Sequence, residues 1–270
     1  MYLSDYHIHS NFSGDSVEDL ENIIKKAKEL ELKEIAITDH MDLDTGSIYD
    51  SNFILDLNKY IPRLLELKER ERKNIDIKIG MEFGIQRHLG KEAEKIIKNH
   101  PFDFVISSIH SIDKILIDKK EYWSDKTKEE GQEKYFLEVL NCIKSYDTFS
   151  VQGHLDFISR YGGEGKKGFI NYAKYDDIID EILKELIDKG KGIEINTSGI
   201  RYLENRFYPC NSLVKRYFDL GGEIITIGSD SHRAIDICKN FSEVYDFLES
   251  INIKYISSFD KMKVEFKKFR

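Results

Sequence analysis

Along the chain, short apolar runs that end on a histidine or a carboxylate alternate with longer stretches whose apolar residues recur every three or four positions. The first run, Asp5-Tyr6-His7-Ile8-His9-Ser10, carries two histidines one residue apart. As a strand, its period of two turns both imidazoles to one face, where they can share a metal ion. Leu20, Ile23, Ile24, Ala27 and Leu30 then predict a helix, with Ser16 as its cap and Asp19 three residues on. A second strand is expected over Glu34-Ile-Ala-Ile-Thr-Asp-His40, with a polar end. Phe53, Ile54, Leu57, Ile61, Leu64, Leu65 and Lys68 predict helix over 51–72, which Pro62 kinks or splits. Residues 75–84 alternate as a third strand that delivers Glu82.

The alternation continues to the end of the chain. A short helix over 90–98 stops before Pro101, and 104–110 is a strand ending on His110. Residues 111–126 are polar and without a period, and read as a long loop over the site. Thr127 with Glu130 forms a capping box for a helix that buries Phe136, Val139, Leu140 and Ile143. The next strand, 150–154, finishes on His154, and the glycine- and lysine-rich 162–174 reads as a mobile loop. Ile178, Ile179, Ile182, Leu183, Leu186 and Ile187 mark a helix, and 192–198 is strand six. Leu213, Val214, Tyr217 and Phe218 mark another helix, 224–230 is strand seven, and Val244, Phe247, Leu248 and Ile251 form a last helix. The lysine-rich 254–270 reads most simply as a solvated face.

Seven strands alternating with helices lead to an α/β fold with a parallel sheet and right-handed crossovers. Near-continuous Ile/Val runs place the strands under cover on both faces. A closed barrel and an open doubly wound sheet both satisfy this pattern. The polar strand ends decide: they come from at least six strands, and a barrel brings that many C-terminal ends to one mouth. The expectation is a distorted seven-stranded (β/α)7 TIM-like barrel with a metal site at the C-terminal ends of its strands. No linker divides the 270 residues, so one domain over 1–270 is expected.

Composition narrows the partners. A formal charge of -8 and a pI near 5.6 argue against nucleic acid, which requires a basic face. A small-molecule substrate is expected instead. Cys142, Cys210 and Cys238 are scattered, without CxxC spacing, and read as packed thiols. No apolar run approaches the roughly 18 residues of a membrane span, and His7 leaves no room for a leader ahead of it. A cytoplasmic protein with no membrane partner is expected, and a homodimer is compatible with the sequence.

Collected in order, the polar strand ends are His7, His9, Asp39, His40, Glu82, His110, His154, Glu194, Asn196, Asp230 and His232. His88 and His100 lie off these ends and read as surface or structural residues. Mixed imidazole and carboxylate suit zinc, iron or manganese better than magnesium or calcium. So many ligands exceed one tetrahedral ion, so two or three divalent ions are implied, with Glu82 as the bridging carboxylate. Such a site suits hydrolysis of a phosphate ester, or of an amide.

These motifs resemble those of the polymerase and histidinol phosphatase (PHP) family: His7-Ile-His9, Thr38-Asp39-His40, Glu82 in Gly-Met-Glu-Phe, Ser108-Ile-His110-Ser-Ile-Asp113, Gly153-His154-Leu-Asp156 and Gly228-Ser-Asp230-Ser-His232. The resemblance spans residues 5–232. Gly-His-Leu-Asp-Phe-Ile-Ser-Arg160 and Glu194-Ile-Asn-Thr-Ser-Gly-Ile-Arg201 are most similar to the histidinol-phosphate phosphatase branch, whose members are distorted seven-stranded barrels with three metals. The resemblance implies that His7, His9, Glu82 and Asp230 hold one ion, that Glu82, His110 and His154 hold a second, and that Asp15, His40 and His232 hold a third. Arg160 and Arg201 are implied as phosphate clamps, since a planar guanidinium makes two hydrogen bonds at once. Arg233 reads as a helix-start or surface residue.

The reaction expected is in-line attack of an activated water on phosphorus, with Asp230, His232 or a bound water protonating the leaving group. Asp39 points away from His40 and reads as support behind the ligands. Glu194 and Asn196 face the mouth, either contacting the substrate's ammonium and imidazole or packing inside the barrel. The leading expectation is hydrolysis of L-histidinol phosphate in histidine biosynthesis. Other phosphate esters (nucleotide, sugar phosphate, phosphotyrosine) and a non-catalytic metal-binding module are the alternatives. Zinc amidohydrolases also begin with His-x-His, but they need a lysine at a strand end, and none of these strands ends in one.

Overall fold

The computed structural model describes residues 2–46, 50–161, 170–202 and 205–270. Its centre is a ring of parallel strands: β1 (Ser4–Ile8), β2 (Glu34–Ile37), β4 (Asp76–Gly84), β5 (Phe104–Ser108), β8 (Val151–Gln152), β9 (Gly192–Asn196) and β10 (Ile225–Gly228), in that spatial order. Sequential order and parallel pairing at every step give the (β/α)7 arrangement expected from the apolar runs. The first and last strands meet through a bridge between Ile8 and Ser231, where the His9 amide donates to the Ser231 carbonyl at 2.9 Å. The barrel is thus nearly closed. Strand β3 (His40–Asp42) resumes the line of β2 after a break at Thr38–Asp39 and pairs with the upper part of β4, His40 opposite Glu82.

Two layers of apolar contact hold the ring. Outside it, helix faces such as Ile23, Ile24 and Ala27 of α1 (Leu20–Glu29) and Leu64 and Leu67 of α2 (Leu57–Glu71) pack on the outward-pointing Ile35, Ile37, Ile77 and Ile79. Inside, Tyr6, Ala36, Phe104, Ile106 and Val151 form a smaller cluster. The register of β1 slips between Asp5 and Ile8. Tyr6 therefore joins the inner cluster while His7, one residue on, reaches the mouth.

Several elements differ from expectation. The cap of α1 is Asp19, whose carboxylate accepts from the Glu21 amide at 2.8 Å, and the Ser16 hydroxyl instead donates to the His232 carbonyl. Helix α2 runs from residue 57 to 71 through Pro62, and Ile54 and Leu65 of the supposed apolar face are 46% exposed. Helix α3 (Gly90–Lys98) is as expected. Residues 111–126 are ordered, not loop: a hairpin of β6 (Ser111–Ile112) and β7 (Ile115–Leu116) leads into α4 (Lys120–Trp123). Helix α5 (Lys128–Ser145) starts at the Thr127–Glu130 capping box, with both of its hydrogen bonds present. Of the mobile loop expected over 162–174, residues 162–169 lie outside those described, and the rest is fixed, with Ile170 buried and a turn of 3-10 helix at Tyr172–Lys174.

Helix α6 (Asp176–Asp188) follows β9's predecessor as expected, but strand six stops at Asn196 and gives way to the single turn α7 (Ser198–Arg201). After α8 (Asn211–Asp219) and α9 (Phe241–Ser250) the lysine-rich tail is an antiparallel hairpin, β11 (Tyr255–Asp260) and β12 (Lys263–Lys268). One strand of it is not a solvated face: Ile256, Ser257, Ser258 and Phe259 of β11 are buried. Phe259 plugs the inner cluster from below, and Glu34 accepts hydrogen bonds from the Tyr6 and Ser258 hydroxyls at 2.8 and 2.9 Å. The hairpin closes the N-terminal end of the barrel and leaves the C-terminal end as its mouth. No helix among the described residues is long and apolar enough to cross a membrane.

Candidate metal centre

All nine residues expected to ligate metal converge at the mouth. Glu82 is the hub. Its Oε2 lies 3.2 Å from His7 Nε2, 3.1 Å from His40 Nδ1 and 3.6 Å from His9 Nε2. Its Oε1 lies 3.2 Å from His110 Nε2 and 2.9 Å from His154 Nε2, and accepts from the Ser108 hydroxyl at 2.7 Å. Asp230 Oδ1 stands 3.4 Å from His9 and 3.8 Å from His7. Asp15 Oδ2 joins His232 Nε2 at 3.0 Å and His40 Nε2 at 3.4 Å. Four overlapping groups have the spacing to hold a cation: His9, Asp15, His40 and His232; His7, His9 and Asp230; Glu82, His110 and His154; and His40, Asp42 and His110.

A row of partners behind these rings fixes which nitrogen faces the site. Glu194 Oε1 accepts a hydrogen bond from His7 Nδ1 at 2.6 Å, and its Oε2 accepts from the His154 amide at 2.9 Å. His9 Nδ1 meets the Ser13 hydroxyl at 3.1 Å, which donates to Asp39, and Asp39 also accepts from the Ser10 amide and hydroxyl. Asp39 thus supports His9 from behind, as its face of the strand required. Asp42 holds His110 Nδ1 at 2.9 Å. Such outer contacts orient ligand rings and raise their basicity.

The donor set fits a metal on its own geometry. The buried His7 Nε2, His9 Nε2 and His40 Nδ1 atoms have no hydrogen-bond partner among the described residues, yet each points at carboxylate oxygens. A buried polar nitrogen left this way is costly unless a cation joins it to those oxygens. His154 and Asp230 are held at φ 21° and 52°, in the left-handed region that side chains rarely adopt, as at many sites where position outweighs comfort.

Charge follows the same pattern. Burial opposes a proton on His7, but Glu194, Glu82 and Asp230 outweigh it and raise its pKa well above the ordinary value. Burial likewise opposes His110, and Asp42 and Glu82 lift it to about 10. His9 goes the other way: burial, then His232 and His40, push it down to about 3. Burial alone would raise Glu82 and Asp230, yet the surrounding imidazoles hold both carboxyls well below their usual range. An assembly of ionised acids and rings that compete for protons is poised to exchange those protons for metal.

A cavity of about 400 Å³ opens over the cluster. Asp15, His40, Glu82, His110, His154, Asp230 and His232 form its floor, and Phe53, Leu116, Ile117, Asp118, Lys119, Phe157, Arg160, Tyr161 and Tyr202 its walls. Arg160 is packed between the rings of Phe157 and Tyr202, 4.4 and 4.1 Å from their centroids, and Nη2 donates to Ser198 at 3.2 Å. A guanidinium stacked this way is preorganised for an oxyanion.

Three expected substrate contacts are placed elsewhere. Arg201 donates through its two terminal nitrogens to the carbonyls of Ser229 and Asp230 at 2.7 and 2.8 Å and does not border the cavity, so it braces the Asp230 turn. Glu194 and Asn196 are fully buried behind the ligands, Asn196 reaching Glu194 and accepting from the Ser198 amide at 2.9 Å. His88 pairs with Asp44 on the surface, His100 bonds the Ile96 carbonyl, and Arg233 is exposed. Asp42 and the 116–119 wall were missed. Asp42 follows His40 by two residues and so shares its face, a signal the sequence did carry. Arg206 was missed as well: it is tied to Asp156 at 2.6 Å and to Ser159, beside Arg160.

Residues 5–198 match the family model described as the PHP domain. The histidinol-phosphatase of Lactococcus lactis subsp. lactis is 34% identical over 97% of this chain and 96% of that protein. A protein of Clostridium acetobutylicum named probable histidinol-phosphatase is 32% identical over 93% and 94%. Among solved structures, the crystal structure of histidinol phosphate phosphatase from Lactococcus lactis, complexed with zinc, L-histidinol and phosphate, superposes with a TM-score of 0.89 at 33% identity, covering 97% of this chain and 98% of that one.

Proposed function

The chain belongs to the PHP family, and on that premise we propose that residues 1–270 form one metal-dependent phosphomonoesterase that hydrolyses L-histidinol phosphate to L-histidinol and phosphate. The observation that carries this reading is the convergence of six histidines and three carboxylates at the barrel mouth, seven of the nine lining one cavity beside a stacked arginine, in a fold matched along nearly its whole length by a protein crystallised with zinc, histidinol and phosphate.

His7, His9, Glu82 and Asp230 hold one divalent ion in this proposal. Glu82, His110 and His154 hold a second, and Asp15, His40 and His232 a third. Zinc, manganese and iron all suit the donor set. Bound ions supply Lewis acidity toward the phosphoryl oxygens and lower the pKa of water at the site. The chain's own side chains do the rest. Arg160 grips the phosphoryl oxygens through its fork, and the rings of Phe53, Phe157, Tyr161 and Tyr202 exclude water and offer faces to an imidazole. Arg201 keeps the Asp230 carboxylate aimed at His7 and His9.

Asp230 is held ionised, so of the two side-chain acids expected it is the poorer proton donor. His232 can hold a proton for the leaving alkoxide only when it is not a ligand. Were His232 to hold an ion, the leaving alkoxide would take its proton from water in the cavity.

The test is metal analysis of the purified chain together with a panel of phosphate esters. Two or three ions per chain and a preference for L-histidinol phosphate are expected. Stoichiometric metal without hydrolysis of any ester would overturn the enzyme reading, and a preference for a nucleotide or sugar phosphate would overturn the substrate.

A further inference from the structure

Of the carboxylates that line the cavity among the described residues, all but one face imidazoles. Asp15 lies against His232 and His40, Asp42 against His110, Asp230 against His9, and Glu82 against several rings. Asp118 is the exception. Its polar partner is the ammonium of the neighbouring Lys119, at 2.7 Å, and both residues line the cavity.

The segment that carries them is anchored. The Ile117 amide donates to the His110 carbonyl at 2.9 Å, the Trp123 indole donates to the Ile117 carbonyl at 2.8 Å, and the Ile117 side chain is buried. Asp118 is therefore held in place relative to the ligand His110. Tyr161 stands within electrostatic reach of both Asp118 and Arg160: burial raises its pKa to about 12, with Arg160 pulling it down and Asp118 pushing it up. The guanidinium of Arg160, Tyr161 and the Asp118 carboxylate, whose partner is the exposed Lys119, thus line one cavity.

We propose that Asp118 is a specificity-determining residue that pairs with a cationic amine on the alcohol half of the ester, so that the site selects amino-alcohol phosphates over phosphate esters without an amine. The inference rests on the phosphomonoesterase reading above and concerns the same cavity. An ester with an ammonium a few bonds from its phosphate is a small zwitterion, and the wall offers the complementary pair. Arg160 and Lys119 attract the phosphoryl end. As Lys119 turns toward that charge, Asp118 exchanges its neighbour's ammonium for the substrate's. A hydrogen bond between opposite charges in a partly enclosed cavity is strong enough to discriminate, because an ester that lacks the amine leaves the carboxylate without its partner.

The experiment compares kcat/KM for L-histidinol phosphate with that for its des-amino analogue, the imidazolylpropyl phosphate, in the metal-loaded wild type and in Asp118→Asn. The wild type should favour the amine-bearing ester by about tenfold to hundredfold, and the variant should lose most of that ratio, chiefly through KM. A loss of folding or of wall position lowers both esters together and leaves the ratio intact. A wild-type preference below about threefold, or a ratio that survives in the variant, overturns the proposal, and the wild-type ratio alone decides if the variant does not fold. If neither imidazole ester is hydrolysed, the histidinol phosphate reading fails by itself, and aminoethyl phosphate against ethyl phosphate then tests Asp118 separately.

Discussion

Glu82 shows how far a single side chain carries the site. It is 1% exposed, and its two oxygens face five imidazole rings between them. Glu82→Gln keeps the shape and removes the charge that two ions would share. Turnover should fall by roughly a thousandfold or more, with bound metal reduced and the far-ultraviolet circular dichroism unchanged. A variant that retains full metal and activity would remove Glu82 from its bridging role. His232 is the complementary case, because a ring that ligates an ion cannot also hold the leaving group's proton. His232→Asn should lower bound metal by one ion per chain, read by elemental analysis. Unchanged metal with a loss confined to esters of poor leaving groups would instead make it the proton donor. The residues that converge at the mouth were legible in the sequence because a histidine at the end of an Ile/Val run has no packing reason to be there. Glu194 and Arg201 were only half legible. Their positions at strand ends could be read, but whether a buried group faces the cavity or the back of a ligand depends on neighbours more than a hundred residues away, such as His7 for Glu194.

At the scale of elements, periodicity predicted what packs and overlooked what only pairs. The barrel strands and the α5 cap were readable because the strands are apolar runs or, like the two-residue β8, lead into a histidine, and the cap is a local motif that forms its own hydrogen bonds. The β6–β7 hairpin has two residues a side, too short for any period to appear, and it is held by contacts to His110 and Trp123 that only the fold supplies. The lysine-rich tail was misread for a different reason. The strand β12 does carry its lysines on a solvated face, but its partner β11 turns Ile256 and Phe259 under the barrel. That assignment is testable because the hairpin lies at the end of the barrel away from the mouth. Phe259→Ala removes a ring that is 3% exposed from the inner cluster and should cost about 3 kcal/mol of stability by denaturant titration. Activity per folded, metal-loaded molecule should stay near that of the wild type. A change below about 0.5 kcal/mol would mean that the hairpin is a loose appendage.

For the molecule as a whole, the mouth sets the pH dependence of the fold, and the direction follows from the protons the rings hold without metal. His110 titrates near 10 in the folded chain, and His7 and His40 are also raised well above their ordinary value, against roughly 6.5 for an unfolded histidine. The folded state therefore binds these protons more tightly than the unfolded state. Their contribution is complete below about pH 6.5 and is lost as pH rises through the folded values. Glu82 and Asp230, held below the usual carboxylate range, contribute above about pH 4 and lose that contribution as acid protonates them. His9, pushed down to about 3, opposes the other rings between those limits, because the unfolded chain protonates it first. With four rings raised, His232 among them, and His9 largely neutral in both states above pH 7, the metal-free chain should melt lower at pH 9.5 than at pH 7, by on the order of 5 °C. Metal reverses the trend. Ligation replaces the lost protons with cations, and deprotonated rings bind them more tightly, so the gain in melting temperature on adding zinc should be larger at pH 9.5 than at pH 7. A metal-free chain that melts higher at the alkaline pH, or a zinc-induced gain that shrinks there, would show that the rings are not charged by their carboxylate neighbours and that protons and metal do not compete for this mouth.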